Sequence, residues 1–302
     1  MHIRDIFRQE ETTFSFEFFP PKTPESAEAL YRTIADLERL EPSFVSVTYG
    51  AGGTTRELTH DLVVRIKTTT RLDPIPHLTC VCHSEQDIKV ILTRYAEAGV
   101  SNILALGGDP PRDKAGYHRG QDAFQRAADL VRYIRAFPAH PDPGGFGIGV
   151  AGFPEGHPAT PNRLMEIEYL RRKVDEGADY IVTQLFFDNH DFFDFRDRCE
   201  LAGIHVPIVA GIMPVTSLSG LRRMADLAGG ARFPAKLLRQ LMQCGEDERA
   251  VERAGIDYAT EQCQGLLEQK VRGIHFYTLN RSDATREIYQ RLGLSKKRRA
   301  TA

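Results

Sequence analysis

The chain of 302 residues has no tryptophan, few cysteines and almost no net charge. Its 39 Lys and Arg nearly balance 41 Asp and Glu, for a formal net charge of −2. This balance excludes the strong positive field of proteins that bind nucleic acid or anionic membranes through their overall charge. We therefore expect a small-molecule ligand, with neither nucleic acid nor a membrane as a partner.

The five cysteines are odd in number and widely spaced, which is not the pattern of a disulfide framework and favours a reducing compartment. Cys80, Cys82 and His83 lie together, but a zinc site needs further ligands at matching spacing, so we expect no metal. The sequence has no apolar run of about 18 residues and no apolar signal segment. These absences predict a cytoplasmic protein.

What the sequence does contain is eight short apolar or alternating segments, separated by stretches with helical periodicity. Eight strand and helix units predict a single (β/α)8 TIM barrel over residues 1–302, with an open doubly wound sheet as the alternative. About sixty residues separate the last two strands, which predicts extra helices there. The strands are predicted to start at Phe14, Phe44, Pro76, Asn102, Gly147, Tyr180, Val206 and Gly273.

Alternation within the first strand puts Phe14, Phe16 and Phe18 on one face and Glu17 on the other. If the phenylalanines pack against helices, Glu17 points into the barrel near the end where active sites of this fold lie. Each further polar residue near a strand end has an ordinary structural explanation, but their coincidence at one end favours a site. These residues are Thr48, His77, Asp109, Gln184, Tyr277 and Arg281.

Six segments carry a family resemblance: FSFEFFPPKT (14–23), FVSVTYGAGG (44–53), PHLTC (76–80), LGGDPP (106–111), VTQLFFD (182–188) and HFYTLNR (275–281). In this order they resemble the methylenetetrahydrofolate reductases, specifically the bacterial, single-domain, flavin-dependent type. The resemblance implies a (β/α)8 barrel that carries FAD. Such a barrel passes a hydride from NADH or NADPH, by a ping-pong route, to 5,10-methylenetetrahydrofolate and gives 5-methyltetrahydrofolate.

The resemblance also assigns roles to individual residues. Glu17 resembles the general acid and Asp109 the acidic residue beside flavin and pterin, so both are expected to be catalytic and to contact the folate. Gln184, Tyr277 and Arg281 resemble the other folate-binding residues. The positions that resemble the flavin lining are Thr48, Tyr49, Ala51, His77, Gly108, Asp109, His157, Arg172 and Lys173.

The chain departs from the family pattern at two positions in particular. Gly107 stands where the family usually has an arginine, and Gly220 where relatives often have a glutamine. The missing cation keeps open a flavin-free reductase with direct hydride transfer. An inactive folate-binding subunit is a third alternative, although retention of Glu17 and Asp109 argues against it.

Three further expectations concern organisation and donor. The chain ends soon after the eighth strand, so no regulatory C-terminal domain is expected. Homo-oligomers are common among soluble enzymes, and one is expected here. No dinucleotide fingerprint is present to distinguish NADH from NADPH.

Overall fold

The structure, a computed structural model, describes residues 1–50, 55–111, 117–227 and 231–294. Eight parallel strands form a closed barrel in chain order, and β8 pairs with β1. This closure confirms the (β/α)8 prediction and excludes the open sheet. The strands are β1 (Thr13–Phe18), β2 (Phe44–Val47), β3 (Pro74–Thr79), β4 (Asn102–Leu106), β5 (Gly147–Gly152), β6 (Tyr180–Thr183), β7 (Ile208–Ile212) and β8 (Gly273–Tyr277).

Helices surround the barrel, and the connection between β7 and β8 is longer than the others. The described part of that connection holds α8 (Leu218–Leu227), α9 (Ala235–Gln243) and α10 (Glu248–Glu268), as the spacing predicts. The remaining helices are α1 (Ile3–Gln9), α2 (Pro24–Glu38), α3 (Arg56–Thr69), α4 (Glu85–Glu97), α5 (Ala127–Arg135), α6 (Arg163–Asp175), α7 (Asn189–Leu201) and α11 (Asp283–Arg291). No helix among the described residues is long and apolar enough to span a bilayer.

The main apolar core lies between the barrel and its helices. Phe14, Phe16 and Phe18 belong to this layer, where Phe14 and Phe16 pack against Tyr289 of α11. Because alternate residues of a strand point to opposite faces, this packing directs Ser15 and Glu17 into the barrel. The face prediction for β1 is therefore confirmed.

Helix α1 closes the barrel at the N-terminal ends of the strands and was not predicted from the sequence. Ile3, Ile6 and Phe7 recur at helical spacing and are buried in a second apolar cluster with Phe44 and Tyr180. The Phe7 ring lies 5.7 Å from that of Tyr180. The barrel is thus filled at this end, and the predicted site residues lie toward the opposite one.

Candidate active site

Glu17 is the most unusual group inside the barrel, because a carboxyl is buried there beside an imidazole. Its Oε2 lies 3.5 Å from Nε2 of His77 on β3. Burial raises the pKa of Glu17 to about 8 and lowers the pKa of His77 to about 3. Both groups are therefore neutral near pH 7, and the contact is not an ion pair. Glu17 is a carboxylic acid that holds its proton at neutral pH.

A second polar layer lies below Glu17, toward α1. His275 on β8 bonds Ser15 Oγ through Nδ1 at 2.7 Å and Ser46 Oγ through Nε2 at 3.2 Å. Burial lowers the pKa of His275 to about 3, so the imidazole is neutral. These bonds occupy both ring nitrogens, and this layer is a supporting floor beneath Glu17.

The β6 and β8 ends form one wall of the site. The Tyr277 hydroxyl donates to the Thr183 carbonyl at 2.7 Å, and burial raises the pKa of Tyr277 above its ordinary value. Gln184 follows β6 directly, with its Oε1 accepting from Leu185 N at 2.9 Å. Arg281 is exposed beyond β8. The three residues predicted to bind substrate therefore lie at the same barrel end as Glu17.

The loop after β8 is held to β1 through the asparagine of the TLN segment. Asn280 has a positive φ of 59°, and its side chain bonds both Phe19 N at 2.8 Å and Phe19 O at 2.9 Å. Thr278 Oγ1 donates to the Glu17 carbonyl at 2.6 Å. These bonds hold the backbone that directly follows the Glu17 side chain and join the β1 and β8 motif segments.

The β4 end approaches β3 closely. Gly108 has φ +76°, and a Cβ there would lie only 2.8 Å from the Thr79 Cβ, so a larger residue would be strained and crowded. Asp109 follows and is exposed. Thr79 Oγ1 and His77 Nε2 are buried without a hydrogen-bond partner among the described residues. Two such groups beside a glycine backbone leave hydrogen-bonding capacity for a ligand at the barrel mouth.

Beyond β5, His157 and Lys173 form the next part of the mouth. The Lys173 ammonium is buried and donates to the Ala151 carbonyl at 2.5 Å, and burial lowers its pKa to about 8. Burial also lowers the pKa of His157, with Lys173 contributing in the same direction. Arg172 instead points outward and is 61% exposed, 3.9 Å from Glu168. The two adjacent cations of α6 thus lie in different environments.

The β2 end carries the remaining predicted flavin positions. Tyr49 hydroxyl bonds Nε2 of His83 at 2.9 Å, and burial raises the pKa of Tyr49 to about 12. Thr48 is half-buried, and its carbonyl accepts from Thr59 Oγ1 at 3.0 Å. Ala51 lies outside the described residues.

The short cysteine cluster contributes packing. Burial raises the pKa of Cys80 to about 12, so its thiol remains protonated. The His83 ring is used by Tyr49 and, through Nδ1, by the Val81 carbonyl at 2.8 Å. Within the described residues, no three His, Cys, Asp or Glu side chains form a group that could hold a metal ion.

Comparison with known proteins places this barrel in a family. The family model described as methylenetetrahydrofolate reductase matches residues 2–293. The chain belongs to the methylenetetrahydrofolate reductase family. Among bacterial members, 5,10-methylenetetrahydrofolate reductase of Escherichia coli strain K12 is 36% identical over 286 residues, which cover 95% of this chain and 92% of the relative.

Methylenetetrahydrofolate reductases of eukaryotes are also similar but longer. Methylenetetrahydrofolate reductase 1 of Schizosaccharomyces pombe is 41% identical over 95% of this chain and 47% of its own length. Methylenetetrahydrofolate reductase (NADH) 1 of Arabidopsis thaliana is 38% identical over 97% of this chain and 50% of its own length. The chain therefore spans about half the length of these relatives.

Solved structures add support for the fold alone. A Clostridium thermocellum protein, described as binding two copies of 5-methyl-5,6,7,8-tetrahydrofolic acid, superposes with a TM-score of 0.63. The superposition covers 100% of both chains at 14% identity.

Two side chains of this methylenetetrahydrofolate reductase family member were not singled out from the sequence. Glu166 on α6 is buried, with its carboxylate beside the backbone of His157. Burial raises the pKa of Glu166. Arg119 donates from Nη2 to the carbonyls of Gly107 at 2.7 Å and Gly108 at 2.6 Å. An acidic residue on the inner face of α6 was a usable signal for Glu166, whereas Arg119 lies in a loop without periodicity.

Proposed function

We propose that this chain reduces 5,10-methylenetetrahydrofolate to 5-methyltetrahydrofolate in the cytoplasm, as a homo-oligomer, with NADH or NADPH as donor and FAD as a bound flavin. The observation that carries the proposal is the protonated Glu17 carboxyl inside the mouth of a barrel of this family. Its pKa of about 8 suits a general acid at neutral pH. A protein that only bound folate would have no use for a buried proton donor.

A flavin fits the polar groups that line the mouth. Thr79 Oγ1 and His77 Nε2 are buried without a protein partner among the described residues, and the ring edge of a flavin carries hydrogen-bonding atoms. When bound, FAD would supply hydride transfer between the nicotinamide and the folate in a ping-pong sequence. The residues proposed to hold it are Thr48, Tyr49, Ala51, His77, Gly108, Asp109, His157, Arg172 and Lys173.

Glu17 is proposed to give its proton to N10 of the folate, because opening the methylene bridge requires that nitrogen to leave as a neutral amine. The exposed Asp109 carboxylate would stabilise the cationic iminium that results and accept a hydrogen bond from the pterin. Gln184 and Tyr277 would orient the pterin from the β6 and β8 side. The Arg281 guanidinium suits the carboxylates of the glutamate tail.

The test is a pair of half-reactions on the purified holoprotein without oxygen. The protein should be yellow, NAD(P)H should bleach the flavin bands, and methylenetetrahydrofolate should restore them. Bleaching by NAD(P)H without recovery of the flavin bands on addition of methylenetetrahydrofolate would overturn the proposed substrate assignment. Colourless protein with full activity would instead establish the flavin-free alternative.

A further inference from the structure

Arg119 brings a positive charge to the mouth of the barrel from an element outside the regular barrel units. It begins a 3₁₀ turn, Arg119–Gln121, in the connection after β4. Its Nη2 donates to the carbonyls of Gly107 at 2.7 Å and Gly108 at 2.6 Å. The guanidinium is thereby held directly over the β4 end, next to Asp109.

Arg119 makes no close ion pair within the described residues, although the carboxylates of Asp109 and Asp122 lie in its neighbourhood. Its Nη2 hydrogen bonds go to two neutral carbonyls. The side chain is half-buried, and a partly desolvated cation without a counter-ion is costly. Nη2 supplies two N–H groups to the carbonyls and the Tyr117 hydroxyl takes a further side-chain hydrogen bond from Arg119, so part of the five-donor guanidinium remains for an anion.

A second cation marks the same part of the mouth. The pKa of His157 is lowered first by burial and then by Lys173, is raised by Asp109, and is lowered again by Arg119, so both cations and one carboxylate lie within electrostatic range of this imidazole. In an eight-stranded barrel β4 lies across from β8, where Arg281 is exposed. The mouth therefore has two cationic groups at the β4 and β5 ends, apart from the side proposed for the folate tail.

We propose that Arg119 binds the diphosphate of the flavin dinucleotide. This inference rests on the proposed function, because it assumes that FAD is the flavin. The side chain of Arg119 also lies where a residue at 107 would project: a Cβ on Gly107 would be 3.7 Å from both Nη atoms. A cation grown from position 107 would occupy the same volume.

The alternative role for Arg119 is to tie down its loop, and the structure provides another tie for that purpose. Asp122 Oδ1 accepts from Cys82 N at 3.1 Å, its Oδ2 accepts from the Tyr117 hydroxyl, and its carbonyl accepts from Gln125 Nε2 at 2.7 Å. Removal of the guanidinium should leave the Cys82 and Gln125 bonds intact, because Arg119 contributes to neither; the Tyr117 hydroxyl also interacts with Arg119. The loop should therefore survive the substitution, and the effect on ligand binding can be read separately.

The test compares ligands with and without phosphate on the apoprotein. FAD and riboflavin are titrated by quenching of flavin fluorescence, with thermal unfolding of each apoprotein recorded alongside. Arg119→Gln should weaken FAD about tenfold to a hundredfold, the usual effect of losing hydrogen bonds to a charged group. Riboflavin affinity should change less than about twofold, because riboflavin makes no charged contact with Arg119. Arg71→Gln is the matched control, since Arg71 is 84% exposed and precedes β3 at the opposite barrel end.

A charge-relocation variant completes the design. Gly107→Arg combined with Arg119→Gln should restore most of the FAD affinity, whereas a loop tie could not be restored in this way. Equal losses for FAD and riboflavin, unchanged FAD affinity, or an increase confined to the KM for NADH would each overturn the inference. If the wild-type apoprotein bound neither flavin, the proposed function would fail as well, so the two failures are distinguishable.

Discussion

Replacing the buried acid by its amide, Glu17→Gln, removes the acidic proton and leaves the size and shape of the side chain nearly unchanged. A carboxyl with a pKa of about 8 is about 90% protonated at pH 7, whereas one at the ordinary value of 4.5 is about 0.3% protonated. The barrel interior thus raises the acid population about 300-fold. Loss of a positioned general acid typically slows its step by about 10²–10⁴-fold. We expect folate reduction to fall by that factor while flavin reduction by NAD(P)H stays nearly unchanged.

Stopped-flow absorbance of the flavin separates the two half-reactions, and Glu28→Gln, on an exposed position of α2, is the control. The wild-type folate half-reaction should slow about tenfold per pH unit above about pH 8, where Glu17 loses its proton. The slowed Glu17→Gln reaction should not depend on pH there. Equal loss in both half-reactions, or a wild-type profile without a break near pH 8, would refute the role of Glu17.

Stability offers an independent reading of the same group. The pKa of Glu17 is higher in the folded chain, about 8, than its ordinary 4.5, so the folded state holds the proton after the unfolded state has lost it. The contribution of Glu17 to folding stability therefore falls as pH rises from 4.5 to 8, by about 1.4 kcal/mol per pH unit. When the free energy of unfolding in urea is measured at several pH values, Glu17→Gln should remove this contribution from its dependence on pH. An unchanged dependence of the free energy of unfolding on pH would mean that Glu17 is not protonated in the folded chain.

Three further outcomes are expected. Asp109→Asn should weaken folate binding and slow its half-reaction, because a negative charge near the cationic intermediate is lost; an unchanged folate Kd in a stopped-flow titration would contradict this. Gly255→Ala should lower the free energy of unfolding in urea by about 2 kcal/mol or more, since its Cβ would lie 1.7 Å from a main-chain carbonyl of another segment. Gly265→Ala, whose Cβ would lie 2.9 Å from the Asn189 side-chain nitrogen that bonds the Gln262 carbonyl, should cost clearly less, because a side chain can shift where a main-chain carbonyl cannot, and equal costs would refute the argument. His77 and His275 are held neutral, with pKa values of about 3 against 6.5, so the two imidazoles together should lower the Tm as pH decreases from 6.5 toward 3, against the smaller opposite contribution of the single Glu17 above pH 4.5. A Tm that stayed constant or rose over this range would contradict this prediction.

Strand positions were predictable because a two-residue period needs only local sequence. The same period placed Glu17 inside the barrel, since the alternating phenylalanines could be assigned to the helix layer. The direction of side chains on helices was harder to predict from the sequence. Arg172 and Lys173 are adjacent in sequence but about 100° apart around α6, so one is buried and the other exposed.

The parts that could not be predicted depend on loop paths and on distant contacts. Arg119 reaches β4 from a connection whose course no short pattern describes. The N-terminal segment is charged and has no apolar signal segment, yet Ile3, Ile6 and Phe7 fill the barrel floor. Their burial depends on contacts with Phe44 and other residues that are far away in the sequence.

The plug formed by α1 has a consequence for how protons are supplied. With the floor filled by Ile3, Ile6 and Phe7, and with the neutral His275 layer above it, the described residues close the barrel beneath Glu17, and solvent reaches this carboxyl from the mouth. A ligand seated in the mouth would block that route. Glu17 would then donate one proton for each substrate bound. It would take up a new proton from solvent only after the product has left, so reprotonation of the acid depends on product release.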